Sequence, residues 1–156
     1  MNVQETMAQA GAAAAAAAED AINTKRCVVV IDAALAGGKA ANAAAVIALT
    51  IGQRHPELVG APLVDASGAS HPGLIPIGIA VLSAPSEALA GLRAKAVQAG
   101  CDVVDFPVQG QQTTDYQAFI DAVARVREEE LRYVGVSLYG PKKTVGKLVG
   151  NLALLK

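Results

Sequence analysis

The stretch RYVGVSLYGPKKTVGKLVGNL, residues 132–152, shows the strand-then-helix order that recurs along this chain. Its first part, 132–140, is an apolar run rich in β-formers that predicts a buried strand. The second part, 141–152, opens on a proline that suits the first turn of a helix and predicts a final helix. A strand, a glycine, two lysines and a helix start also outline a phosphate-binding loop, so the stretch raises the question of a nucleotide site.

The spacing within this stretch excludes a Walker A loop. That loop needs four residues between its glycines and a hydroxyl after its lysine, whereas five residues separate Gly140 from Gly146 and Leu148 follows Lys147. Pro141 also removes one backbone N–H from the cradle. The chain has no GxGxxG sequence, so we expect no dinucleotide and no other cofactor.

Lys142 and Lys143 lie at the start of the predicted final helix, where a simple anion-binding site is one interpretation. Free N–H groups and the helix dipole favour an anion there, and lysines oppose the dipole unless an anion is bound. The alternative is that both side chains point into water. The sequence leaves both interpretations open.

Composition restricts the class of protein. The 156 residues fit one domain, and a content of 53% hydrophobic but only 3% aromatic residues predicts a core of Ala, Val, Ile and Leu. No apolar stretch reaches the ~18 residues that cross a bilayer, so we expect no membrane partner. The net charge of −1 gives no overall field that attracts nucleic acid. Cys27 and Cys101 are interpreted as structural thiols of a reducing compartment, which predicts a cytoplasmic protein.

The chain divides into an Ala-rich extension, residues 1–24, and a single α/β domain, residues 25–156. Alanine is the best helix former, so the extension is predicted to be helical but peripheral, although it has few large side chains with which to dock. It lacks the cationic start of a secretion signal.

In the domain, predicted strands alternate with predicted helices. We predict strands at 27–31, 76–82, 102–108 and 132–140, and helices at 39–52, 84–100, 113–131 and 141–152. Thr113 or Thr114 is expected to cap the third helix. A Pro- and Gly-rich excursion with a short hairpin is expected at 55–73. The alternation predicts an α/β sandwich with a mostly parallel or mixed sheet.

Candidate site residues follow three of the predicted strands. Lys39 and Asn42 lie one turn apart in the helix that opens after LAGG, and QGQQTT at 109–114 supplies Gln112 and Thr113. Open α/β sheets bind ligands where strands end and helices begin. If the first and last strands are neighbours, we expect Lys142 and Lys143 to share one edge with Lys39 and Asn42.

The remaining motifs do not support a metal or hydrolytic site. His55 and His71 lie sixteen residues apart without nearby Cys or paired acids, so we expect no metal. Neither a Gly-x-Ser-x-Gly sequence nor a local Ser-His-Asp or Cys-His pattern is present.

Four segments resemble one bacterial family, catalogued only as a domain of unknown function, the two-thousand family. They are CVVVIDAALAGGKAANAAAVIALTIG, LVDASGASHPG, QQTTDY and RYVGVSLYGPKKTVGKLVGNLALL, and the resemblance covers about residues 25–156. That family in turn resembles the type II peptidyl-tRNA hydrolases in IDAALAGGKAAN and in YGPKKTVGKLVGNLALL. The resemblance implies a three-layer α/β/α sandwich with a four-stranded mixed sheet, and a homodimer.

The chain departs from the hydrolases at two positions that matter. The hydrolases have their catalytic lysine two residues after the lysine that aligns with Lys39. In this chain that position is Ala41. Their Asp-Ala-Gly-Arg-Thr loop is QGQQT here, which keeps Thr113 but has Gln109 in place of the acid. A shared fold does not transfer an activity.

Three functions stay open at this point. The first is binding of a small anionic ligand by Lys39, Asn42, Gln112, Thr113, Lys142 and Lys143. The second is a hydrolase related to the peptidyl-tRNA enzymes, with Lys39 as electrostatic stabiliser and Thr113 as orienting residue. The third is a non-catalytic homo-oligomeric structural or regulatory module.

Overall fold

The computed structural model describes residues 3–156, which form a five-stranded mixed sheet, a two-stranded hairpin and six helices. The helices are α1 Val3–Asn23, α2 Gly37–Arg54, α3 Ser86–Gln98, α4 Gln109–Gln112, α5 Tyr116–Val123 and α6 Lys142–Val149. The strands are β1 Lys25–Asp32, β2 Leu63–Val64, β3 Ser70–His71, β4 Ala80–Ala84, β5 Asp102–Pro107, β6 Tyr133–Pro141 and β7 Ala153–Leu154. Short 3₁₀ turns cover Pro56–Leu58 and Glu128–Glu130.

The strand order of the large sheet is β5-β6-β1-β4-β7. β1 runs parallel to β4, whereas β6 is antiparallel to both β1 and β5. The mixed sheet is therefore confirmed. The expected count of four strands is wrong, because the chain turns after α6 and pairs Leu154 with Leu82 at the edge of β4.

Helices cover both faces of the sheet, because alternate residues of the central strands are buried on opposite sides. One core cluster joins α2 to β1 and β6, and the other joins α3 and α6 to the same strands. The first contains Cys27, Val29, Ile31, Ala43, Ile47, Ile51 and Leu58. The second contains Val28, Val30, Leu89, Val136, Leu138, Val145 and Val149.

Gly135 allows α2 to pack closely on the sheet. A Cβ atom at this position would lie 2.8 Å from Cδ1 of Ile31 and 2.9 Å from Cδ1 of Ile47. Both distances are shorter than side chains normally tolerate, so any larger residue would push the helix or the two isoleucines away.

Two predicted helices differ from the structure. The predicted helix 113–131 is reduced to α5, and its cap is Asp115, whose Oδ1 accepts a hydrogen bond of 2.8 Å from the N–H of Ala118. Thr113 instead donates through Oγ1 to the carbonyl of Gln109 at 2.9 Å. The predicted final helix stops at Val149, and the residues that follow it lead into β7.

Two peripheral segments lie outside the large sheet. α1 is helical, residues 4–21 of it are exposed, and Ile22 packs against the core. The excursion carries the expected hairpin, β2 with β3. Within residues 3–156, no helix combines the length and the apolar character that a bilayer crossing requires.

Candidate functional site at the carboxyl edge of the sheet

Three strands point their carboxyl ends to one edge of the sheet. β1 and β4 are parallel, and β5 runs in the same direction because β6 is antiparallel to both β1 and β5. We call this the carboxyl edge; it comprises residues 33–42, 85–88 and 108–113. The ends of β1 and β4 are tied by a hydrogen bond of 2.9 Å from the N–H of Ala33 to the carbonyl of Ala84.

The structure brings together only part of the predicted site. Lys39, Asn42, Gln112 and Thr113 lie at the carboxyl edge. Lys142 and Lys143 follow the end of β6, where Pro141 pairs with Lys25 at the start of β1.

The expectation that the two groups share an edge is therefore wrong. β6 is a neighbour of β1, as expected, but it runs antiparallel to β1. The pairing runs six residue steps along β1, from Lys25 to Ile31, which places the two groups on the order of 20 Å apart. We call the second location the amino edge.

The first turn of α2 has no side-chain cap. Its N-cap residue is Ala36, and no side chain of residues 3–156 accepts from the amides of this turn. Gly37 and Gly38 border open space, since a Cβ atom on either would have no neighbour within 4 Å. The dipole of this 18-residue helix and its uncapped N–H groups together make an anion favourable here.

The glutamine segment lies beside this turn. Nε2 of Gln111 donates to the carbonyl oxygen of Lys39 at 3.0 Å and ties α4 to α2. Oε1 of Gln109 is buried without a hydrogen-bond partner among the described residues. Gln112 is exposed, and the hydroxyl of Thr113 is engaged within the segment itself.

A cleft of about 410 Å³ opens on another side of the same helix turn. Small and apolar residues form most of its wall, including Gly37, Ala41 and Val81. Lys156 is its one charged lining residue.

The amino edge carries a group of cations. Lys25, Arg26, Lys142, Lys143 and Lys147 are close in the fold, because β1 begins where β6 ends and α6 follows directly. None of these five forms an ion pair with a residue in the range 3–156. The N–H of Lys142 donates to the carbonyl of Thr24 at 2.9 Å, so one of the first amides of α6 is already used.

Sequence reasoning missed a cluster around His55. Its Nε2 lies 2.6 Å from Oδ2 of Asp102, and its Nδ1 lies 3.0 Å from Oε1 of Glu57. Each ring nitrogen of His55 therefore lies within hydrogen-bond distance of a carboxylate oxygen. The guanidinium of Arg54 also binds Asp102, at 2.6 and 3.0 Å.

These contacts have an electrostatic consequence. The hydrogen bond from Arg54, and then that from His55, lower the pKa of the Asp102 carboxyl. The His55 ring also packs on Tyr139, with ring centroids 4.4 Å apart. Since both nitrogens of His55 are occupied, the geometry is that of a structural clamp and leaves neither nitrogen for a substrate. No local signal predicts this cluster, because His55 and Asp102 are 47 residues apart.

The two cysteines are free and buried. Burial raises the pKa of the Cys27 thiol to about 11, so the reactive thiolate is scarce at neutral pH. Among residues 3–156, no group of three or more His, Cys, Asp or Glu side chains is arranged to hold a metal ion.

Comparison with known proteins places this fold among proteins of unknown function. A solved structure of such a protein from Agrobacterium tumefaciens strain C58 superposes with a TM-score of 0.76 at 20% identity, covering 84% of this chain and 97% of that chain. Comparison with curated proteins finds no match. The family model for protein of unknown function DUF2000 matches residues 25–156, and the chain therefore belongs to the DUF2000 family.

Proposed function

We propose that the protein binds a small anionic ligand at the carboxyl edge. The anion lies against the backbone N–H groups of Gly37, Gly38 and Lys39, and the rest of the ligand occupies the cleft beside Ala41. The observation that carries this proposal is the uncapped first turn of α2, which opens onto free space and onto the cleft.

The surrounding charges support the same assignment. Lys39 is exposed on the first turn, and Lys156 lines the cleft, so cations are present on two sides of the anion. Asn42, one turn along α2, and Gln112 supply neutral donors near the same edge. Asp32, the acid at the end of β1, uses Oδ1 to accept from the N–H of Ala34 at 2.9 Å.

Binding has more support than hydrolysis. The cleft wall at Ala41 is a methyl group where the resemblance places a lysine, so the chain offers no proton-transferring group at that position. The hydroxyl of Thr113 donates to the carbonyl of Gln109 within its own segment. Lys39 and Lys156 supply positive charge, which serves to hold an anion.

Calorimetric titration with inorganic phosphate tests the proposal. Gly37→Pro tests the backbone contacts directly. Proline at the first helical position is compatible with the helix, but it removes one of the N–H groups proposed to bind the anion. We expect Gly37→Pro and Lys39→Ala each to weaken phosphate binding about tenfold, the effect of losing one charge-assisted hydrogen bond of about 1.4 kcal/mol.

The double substitution Lys142→Ala and Lys143→Ala is the matched control at the amino edge. It should leave phosphate affinity unchanged. The proposal is wrong if this control abolishes binding while Gly37→Pro and Lys39→Ala retain it, since the anion would then lie at α6. It is equally wrong if wild-type protein binds no phosphate at millimolar concentration.

A further inference from the structure

The hydroxyl of Tyr133 is a polar group on a buried side chain, and it lacks a protein partner. Tyr133 begins β6 and is 2% exposed, and its hydroxyl forms no hydrogen bond with any residue in the range 3–156. Within that range, the one unpaired side-chain atom that is fully enclosed is Oε1 of Gln109, so the Tyr133 hydroxyl keeps access to the space beside it. Buried hydroxyls are normally hydrogen-bonded, which indicates that this one is available to a bound molecule.

A cavity of about 290 Å³ lies beside Tyr133, between α3 and the 3₁₀ turn that precedes β6. A second cavity of about 390 Å³ continues from it, since Ala90 and Glu129 line both. Glu87 lines the second cavity and Ala94 lines the first, so the pair follows α3 for seven residue steps, about 10 Å. We call the two cavities together the α3 cleft.

The positive charge of Arg93, which lines the first cavity, is neutralised by the protein itself. Its Nε donates to Oδ2 of Asp105, and its Nη1 donates to Oε1 of Glu128 at 2.9 Å. The guanidinium carbon lies 5.7 Å from the centre of the Tyr133 ring, which holds the side chain over that ring. Arg93 therefore forms a fixed wall of the α3 cleft and adds no net positive charge to it.

The remaining charge of the α3 cleft is mostly negative. Four glutamates and two arginines line the two cavities. Glu87 and Glu130 line the second cavity, and neither forms an ion pair within the described range 3–156. Glu129 pairs with Arg127 at 2.7 Å, and Arg132 is the cation of the second cavity. Because acids outnumber bases around it, the α3 cleft favours a cation.

We propose that the α3 cleft binds a linear polyamine. One ammonium group donates a hydrogen bond to the hydroxyl oxygen of Tyr133, and a second is held by the carboxylates of Glu87 and Glu130. A linear chain fits because the hydroxyl and these carboxylates line different cavities, and Ala90, which lines both, offers a small apolar wall to the methylene groups. Tyr133 belongs to the core cluster of α3, so this site lies on the opposite sheet face from α2 and is independent of the proposed anion site.

Calorimetric titration with spermidine at physiological ionic strength tests this inference, since salt screens attraction to isolated exposed acids. We expect Tyr133→Phe and Glu130→Gln each to weaken spermidine binding about tenfold, the effect of losing one contact to a charged group. Glu19→Gln is the matched control, because it removes the same charge from the exposed part of α1. It should leave the affinity for spermidine unchanged.

Tyr133→Phe also separates binding from folding. Its hydroxyl has no protein partner, so without spermidine the variant should unfold at the same temperature as wild type or higher. A lower unfolding temperature would show that the protein itself uses the hydroxyl, which overturns the inference. The inference also fails if wild-type protein binds no spermidine at millimolar concentration, or if Tyr133→Phe binds it as tightly as wild type. Equal weakening by Glu19→Gln and Glu130→Gln would refute it too, because overall charge alone would then attract spermidine.

Discussion

His55 Nε2 lies 2.6 Å from Oδ2 of Asp102 and joins the end of α2 to the start of β5. Arg54 binds the same carboxylate with two nitrogens. One acid therefore fixes the last turn of α2 onto an outer strand of the sheet.

Replacement of Asp102 should destabilise the protein measurably. We expect Asp102→Asn to lower the free energy of unfolding by about 1–2 kcal/mol, because two charge-assisted contacts are lost at a site that water partly screens. Urea denaturation measures this change. Asp20→Asn, on the exposed part of α1, is the control and should have no measurable effect. An equal loss in both variants would show that the clamp does not contribute.

The same contacts predict a dependence on pH. The pKa of Asp102 is lowered in the folded state, chiefly by the hydrogen bond from Arg54, so its stabilisation is present above the unfolded value of about 4. It is lost as the pH falls through the folded-state pKa. The difference in unfolding free energy between wild type and Asp102→Asn should therefore be full at pH 5 and shrink towards pH 3. A difference that grows on acidification would contradict this assignment.

A side chain at position 135 should destabilise the protein. We expect Gly135→Ala to cost about 1–3 kcal/mol, since its Cβ would collide with Cδ1 of Ile31 and of Ile47. Ile47→Val removes one of these atoms and should recover part of the loss in the double variant. Gly52→Ala is the control, because a Cβ there has no neighbour within 4 Å; relief of a helical glycine should stabilise by about 0.5–1 kcal/mol. Thermal unfolding of the wild type, Gly135→Ala, the double variant and Gly52→Ala measures these differences in stability.

Cys27 should be chemically inert in the folded protein. It is 2% exposed and burial raises the pKa of its thiol to about 11. We expect no alkylation of Cys27 by iodoacetamide at pH 8, and complete alkylation once urea unfolds the chain. Peptide mass spectrometry resolves Cys27 from Cys101. Rapid labelling of Cys27 without denaturant would disprove the close packing of α2 on β1.

The sequence predicted the elements whose pattern is local. The apolar runs at 27–31 and 132–140 became β1 and β6, and the run of small residues at 39–52 became α2. Gly100, with φ +78°, ends the α3 segment as expected of a helix-terminating glycine. These features depend on neighbouring residues alone.

The wrong predictions concern features that depend on residues far apart in the sequence or on where an element begins. β7 forms because residues 153–154 reach the free edge of β4, which no local pattern encodes. Asp115 caps α5 because the helix begins at Tyr116, and Thr113 lies two residues before the cap position.

The candidate site was divided for the same kind of reason. Strand direction is a property of the whole sheet, and the antiparallel pairing of β6 with β1 placed the lysines of α6 far from Lys39. The residues were identifiable from sequence, but their grouping depended on topology.

The position of β6 has a consequence for how the chain is made. β6 lies between β5 and β1, so the first strand of the domain stays without its second neighbour until the ribosome has produced residue 141. Until then β1 and β5 present open hydrogen-bonding edges to other nascent chains. Folding of the large sheet therefore waits for β6, and the arrival of this strand is the step at which aggregation competes with folding.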